Sequence, residues 1–175
     1  MKGTDDKSIL IVIDLQNGFI REETRSLLDT IIALIDSKRF DAVLATQFVN
    51  FPGSMYERCL GYTKLEKEYD YALVPQLAAK VDSVYVKYGY NAISPNFLSE
   101  LCRLNGGHLP ETVYLAGIST EACVFSTAIG LFDSGIVPVV LADYSASLAG
   151  PAVHQTAIET LSHMIGRRQI VGGSL

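Results

Sequence analysis

Residues 8–14 read SILIVID, and this stretch limits the possible folds more than any other. Five aliphatic side chains in succession have no polar face to turn to water, so the segment must be covered on both sides. It is also far too short to cross a bilayer as a helix, which takes about 20 apolar residues. A central strand of a parallel sheet, with helices packed above and below, meets both conditions. Comparable runs recur at 41–47 (DAVLATQ), 83–87 (SVYVK), 112–116 (TVYLA), 136–142 (IVPVVLA, entered through Gly135) and, shorter, at 168–171.

Segments of helical period separate these runs. Residues 24–37 place Leu27, Leu28, Ile31, Ile32, Leu34 and Ile35 on one face, and 152–165 do the same with Val153, Ala157, Leu161 and Ile165. Residues 95–104 read as a helix stopped by Asn105-Gly106-Gly107, and 121–133 as another. Alternating strand and helix predicts a doubly wound α/β layer sandwich, as a single domain over residues 1–175. Residues 48–70 show no period and mix Pro52, Gly53, Gly61 and several aromatics. A loop of that length in a compact domain covers a site or an interface.

Composition removes several classes of function. The net charge of −5 and the absence of any Lys/Arg cluster leave no footprint for nucleic acid. No run is long enough for a membrane span, and the acidic N-terminal residues do not make a signal peptide. Three cysteines without a CxxC pair argue against a disulfide framework and for a reducing cytoplasm. Zinc-type Cys/His spacing is missing, as are G-x-G-x-x-G after the first strand and G-x-x-x-x-G-K-[ST].

Three chemically distinct residues stand at strand ends. Residues 113–128, VYLAGISTEACVFSTA, read as a strand, a turn after Gly117, and a helix start with Cys123 in its first turn. Unpaired N–H groups and the helix dipole there favour a thiolate, so Cys123 is expected to be more acidic than a free cysteine at about 8.5. Ser119 or Thr120 would cap that helix. The alternative is a buried structural cysteine, the commoner fate of a lone one. Asp14 ends the first strand and Lys87 the third. Either could be a loop cap or a solvated strand end, but together with Cys123 they fall on the sheet edge where α/β folds bind ligands.

The stretches IVIDLQNGF, YVKYGYNAI and GISTEACVFSTAIGLFDSG, in this order, resemble the isochorismatase-like cysteine hydrolases over nearly the whole chain. The resemblance implies a three-layer α/β/α sandwich with a central six-stranded parallel sheet. It implies a catalytic triad of Asp14, Lys87 and Cys123, and a cis peptide at Ile118–Ser119 that turns the Ser119 N–H toward the Cys123 N–H as an oxyanion hole. The activity implied is hydrolysis of a C–N bond in a small amide, ureido or carbamoyl compound. Family members are oligomeric, so a homo-oligomer, dimer or tetramer, is expected.

Nicotinamidases of that family hold a metal through an Asp-x-His pair and a further His. The matching stretch here, ATQFVNFPGSMYERC, has no histidine, so neither a catalytic metal nor any other cofactor is expected. His154 and His163 fall on a helix, where surface or packing roles are expected. Isochorismatases proper, which cleave a vinyl ether, lack the cysteine. Asn17, Phe19, Gln47, Asn50, Tyr88, Tyr90 and Asn91 lie near the crevice in sequence and are candidate substrate contacts. Tyr56, Tyr62, Tyr69 and Tyr71 cover the site or face another subunit. Competing readings are a catalytically silent binding module, a vinyl-ether hydrolase and a thiol redox sensor, the last needing Cys59 or Cys102 beside Cys123.

Overall fold

The computed structural model describes residues 6–172, without the Glu23 side chain. Six strands, β1 (Ile9–Ile13), β2 (Ala42–Phe48), β3 (Ser83–Lys87), β4 (Thr112–Ile118), β5 (Val137–Ala146) and β6 (Ile170–Val171), form one sheet in the order β3-β2-β1-β4-β5-β6. Every neighbouring pair is parallel. The helices are α1 (Glu22–Asp36), α2 (Met55–Leu60), α3 (Glu68–Tyr71), α4 (Pro75–Ala78), α5 (Pro95–Leu104), α6 (Phe125–Asp133) and α7 (Pro151–Met164).

The run ILIVI in β1 is apolar throughout because consecutive side chains enter different cores. Ile9, Ile11 and Ile13 pack with Phe97 and Leu101 of α5, Ala128 and Leu131 of α6, and Leu161 of α7. Leu10 and Val12 pack on the opposite face with Leu27, Ile31, Leu34 and Ile35 of α1 and Leu77 of α4. All five β1 side chains are fully buried, each contributing about 1.5–3 kcal/mol of transfer free energy. At the sheet edge the rule weakens: Val84 and Val86 of β3 are exposed.

Three elements differ from the sequence expectation. β4 runs two residues beyond Ala116, through Gly117 to Ile118. β5 continues to Ala146, and its pairing with β4 jumps from Leu115↔Val140 to Gly117↔Ser145. The extra residues bulge out, and the Ser145 hydroxyl donates to Leu141 O at 3.0 Å. The polar letters DYS conceal that extension from a search for apolar runs. Residues 48–70 are not featureless, since α2 and α3 lie there. Ser54 caps α2 by accepting from Glu57 N, and Gly61 in the left-handed conformation ends it.

Strand order reverses between β1 and β4, and ligand sites of open α/β sheets lie at the carboxyl ends of the strands at such a switch point. Asp14 leaves β1 there, and the segment carrying Cys123 leaves β4.

Candidate active site

Asp14 follows the last residue of β1 with φ of +49°, a left-handed conformation that Asp tolerates better than most residues. Its backbone N–H donates to Thr46 Oγ1 at 3.1 Å, and the Thr46 hydroxyl donates back to Asp14 Oδ1 at 2.6 Å. Thr46, buried near the end of β2, thereby fixes the carboxylate from the neighbouring strand. Its small polar side chain within an apolar strand is the one trace of this role in the sequence.

Lys87 ends β3 and stands in register with Phe48 of β2. Its side chain crosses the end of β2, with Nζ 5.2 Å from the centre of the Phe48 ring. Nζ reaches Asp14 Oδ2 at 2.7 Å and donates to Cys123 Sγ at 3.4 Å, Gly89 O at 2.8 Å and Tyr90 O at 3.3 Å. Burial alone would lower the pKa of this ammonium. The facing Asp14 carboxylate, with hydrogen bonds to Asp14 and Cys123, outweighs burial, and the pKa lies above the ordinary lysine value.

Cys123 does not sit in an α-helical first turn. Val124 N donates to Ser119 O at 3.1 Å, a five-residue span that makes Thr120–Val124 one wide π-type turn before α6 begins. Neither Ser119 nor Thr120 caps a helix. Ser119 Oγ accepts from Leu148 N at 3.3 Å, and Thr120 Oγ1 is hydrogen-bonded to His154 Nδ1 at 2.8 Å. His154 of α7 thus braces the turn from behind. The Ile118–Ser119 peptide bond is cis. Gly117 is required just before it: φ is +128°, and an added Cβ would lie 2.1 Å from Ile13 O. The turns that carry Asp14 and Cys123 are pressed together at that point.

The thiol is not acidified. Burial raises the Cys123 pKa far above its ordinary value, the Asp14 carboxylate raises it further, and Lys87 opposes both. The expected acidity rested on unpaired N–H groups and a helix dipole, whereas Cys123 lies in a π-type turn, buried beside a carboxylate. Together these influences favour the neutral thiol over the thiolate.

Cys123 opens into a cavity of about 310 Å³ whose walls include Phe19, Phe48, Tyr56, Tyr62 and Tyr90, with Ser119 beside the thiol. Tyr56 meets Phe48 and Tyr90 edge-on, with ring centres 4.8 and 4.9 Å away. Among the candidate contacts, Phe19 and Tyr90 line the cavity. The other five do not. Asn17 Nδ2 donates to Tyr69 O, Gln47 Nε2 to Tyr71 O, and Asn50 Nδ2 to Tyr62 O and Lys64 O. Tyr88 is exposed against Phe51, and Asn91 packs at Gly130 while its Oδ1 accepts from Ile93 N. Polar letters beside a strand end do not reveal whether a side chain faces ligand or main chain. Arg21, Leu60, Glu121 and Leu148 also line the cavity, and sequence reasoning did not single them out.

The segment after β2 is unsuited to a divalent metal. Its amides are engaged with backbone carbonyls, and no group of three or more His, Cys, Asp or Glu among the described residues is arranged to hold an ion. No helix among the described residues is long and apolar enough to cross a membrane.

A family model described as the isochorismatase domain matches residues 8–168. The chain belongs to the isochorismatase family. Within the family's curated proteins, isochorismatase domain-containing protein 2 of Xenopus laevis is 34% identical over 76 residues. That match takes in 42% of this chain and 35% of the relative, about a third of its length. Among solved structures, a nicotinamidase/pyrazinamidase from Bacillus subtilis aligns with a TM-score of 0.77 at 22% identity, covering 96% of this chain and 100% of the other. N-carbamoylsarcosine amidase from Thermoplasma acidophilum aligns with a TM-score of 0.73 at 19% identity over 95% of each chain. At these identities the two structures establish that this isochorismatase-family chain shares their fold.

Proposed function

We propose that this protein is a cysteine hydrolase cleaving a C–N bond in a small amide, ureido or carbamoyl compound through a thioester. The observation that carries the reading is the meeting of Asp14 and Lys87, from the ends of β1 and β3, with Cys123, from the turn after β4, the thiol among them opening into one cavity. Two of the solved structures that share the fold are named for amidase activity.

In this reading the Cys123 thiol gives its proton to Asp14 as sulfur attacks the carbonyl carbon, so charge is created only with bond formation. Lys87 keeps the carboxylate in place and offsets the negative charge passing between Asp14 and sulfur. The Ser119 and Cys123 N–H groups receive the oxyanion. Asp14 returns the proton to the departing nitrogen, which leaves as ammonia or an amine. Water then adds to the thioester, giving one proton to Asp14, and the collapsing intermediate restores the thiol and the carboxylate. All atoms come from substrate and water.

The test is ammonia release from a panel of small amides and ureido acids, with mass spectrometry of the quenched enzyme. The reading expects turnover that disappears in Cys123→Ala and an acyl adduct on the peptide containing Cys123. Turnover undiminished in Cys123→Ala would overturn it. So would a panel without turnover in which Cys123, Cys59 and Cys102 react alike with iodoacetamide.

A further inference from the structure

Apart from the reacting groups, the cavity wall carries two charged side chains. Glu121 precedes Cys123 by two residues, and its Oε2 is buried without a hydrogen-bond partner. Arg21 lies in the loop between β1 and α1. Its main chain is fixed, since its N–H donates to Thr24 Oγ1 at 2.8 Å and its carbonyl accepts from Thr24 N at 3.2 Å. Its exposed side chain forms no ion pair among the described residues. Tyr62, on the same wall, is close enough to feel the guanidinium charge, and its buried hydroxyl has no hydrogen-bond partner. A guanidinium with no ion pair among the described residues and an unsatisfied phenol O–H therefore share a wall that is otherwise largely aromatic and aliphatic.

Both groups lack the same thing, an acceptor. Buried hydroxyls are almost always hydrogen-bonded, and guanidinium groups pair with planar anions through parallel N–H bonds. Lys87 cannot serve here, because its ammonium is already committed to Asp14, Cys123 and two carbonyls. We infer that Arg21, assisted by the Tyr62 hydroxyl, is the specificity-determining residue of this site and selects substrates that carry a carboxylate at the end remote from the scissile bond. At the scissile end, Glu121 offers an acceptor to substrate N–H groups. The space is on the order of ten water volumes, which suits a short acid. This inference rests on the hydrolase reading for its scissile bond, whereas the recognition of an anion stands independently.

Succinamate and butyramide are a matched pair of probes, four carbons each, with carboxylate or methyl opposite the amide. The first measurement is protection of Cys123 from iodoacetamide, read by peptide mass spectrometry, which needs no turnover. Succinamate is expected to protect about tenfold better than butyramide in the native protein, as for a single charge-assisted contact, with the advantage shrinking at high salt. Arg21→Gln should abolish the preference, Arg21→Lys should retain part of it, and Tyr62→Phe should reduce it. Equal protection by the two amides, including none by either, overturns the inference, as does a preference that survives Arg21→Gln. The second measurement is ammonia release from the same pair. Selective protection without ammonia release would fault the hydrolase reading and leave anion recognition by Arg21 standing.

Discussion

Lys87 Nζ lies 2.7 Å from Asp14 Oδ2, and the two side chains are 3% and 0% exposed. Neither charge has bulk water to fall back on. Removing one partner leaves the other buried and uncompensated, which costs about 3–5 kcal/mol in comparable cases. The pair holds the site together and, in the proposed reaction, also handles the proton, and single substitutions should reveal both roles.

Asp14→Asn and Lys87→Met should shift the thiol in opposite directions. Asp14 raises the Cys123 pKa and Lys87 lowers it. Iodoacetamide should therefore alkylate Cys123 faster at neutral pH in Asp14→Asn than in the native protein, and slower in Lys87→Met. Turnover should fall in both, by about 10²–10⁴-fold where proton transfer is lost. Parallel changes in alkylation would show that the three side chains do not interact as described.

Gly117→Ala should be among the most damaging small substitutions in the chain. The new methyl would meet the Ile13 carbonyl oxygen at 2.1 Å, and its backbone would remain at φ of +128°. Main-chain atoms cannot swing aside as a side-chain tip can. A loss of at least about 3 kcal/mol in urea unfolding is expected, combining overpacking and strained backbone. A loss below about 1 kcal/mol would mean that β1 and β4 separate more easily than their contact suggests.

Asn50→Ala removes the ties that shape the loop after β2. Its amide donates to Tyr62 O and Lys64 O, and its Oδ1 accepts from the Ser54 hydroxyl at 2.6 Å. Tyr56, Leu60 and Tyr62 on that loop line the cavity. Stability should drop by about 1–3 kcal/mol from the unsatisfied partners, and KM should rise more than kcat falls. An unchanged KM would detach the loop from substrate binding.

Acidification should loosen the Thr120–Val124 turn through His154. Burial holds its pKa below the ordinary 6.5, while the charges of Glu121 and Asp143 pull upward without prevailing. The unfolded chain therefore takes up the proton first. The stabilising contribution is complete above 6.5 and declines as pH falls below it, because the folded protein resists protonation. His154→Gln should flatten this part of the stability curve. Urea midpoints measured from about pH 7 to 5 in both proteins decide it, and coincident slopes would assign the loss to other groups.

The layered sheet was legible because strands buried on both faces leave apolar runs that helices of period 3.6 separate. Asp14 and Lys87 stood out because each follows or closes such a run, and Cys123 because it lies in the turn just after another. Other features leave no comparable trace. The extension of β5 past Ala142 is masked by Asp143, Tyr144 and Ser145, which belong to a bulge. Whether Asn50 faces ligand or main chain depends on how residues 49–74 fold back, and no local pattern encodes that. The Cys123 thiol was misjudged in sign because a helix-terminus argument cannot anticipate the burial that accompanies it. Arg21 and Thr46 were missed because their importance comes from neighbours distant in sequence.

Gln16, Asn17, Gln47 and Asn50 hold the cavity-covering segment by its peptide carbonyls, those of Tyr62, Lys64, Tyr69 and Tyr71. Every amino acid carries such a carbonyl, so the anchors are indifferent to which side chains the segment displays. Residues facing the cavity can be exchanged while the segment's path and the turns beneath it stay the same. In the proposed hydrolase, such anchoring separates the inheritance of a chemistry from the inheritance of a substrate, and allows the second to drift while the first stays fixed.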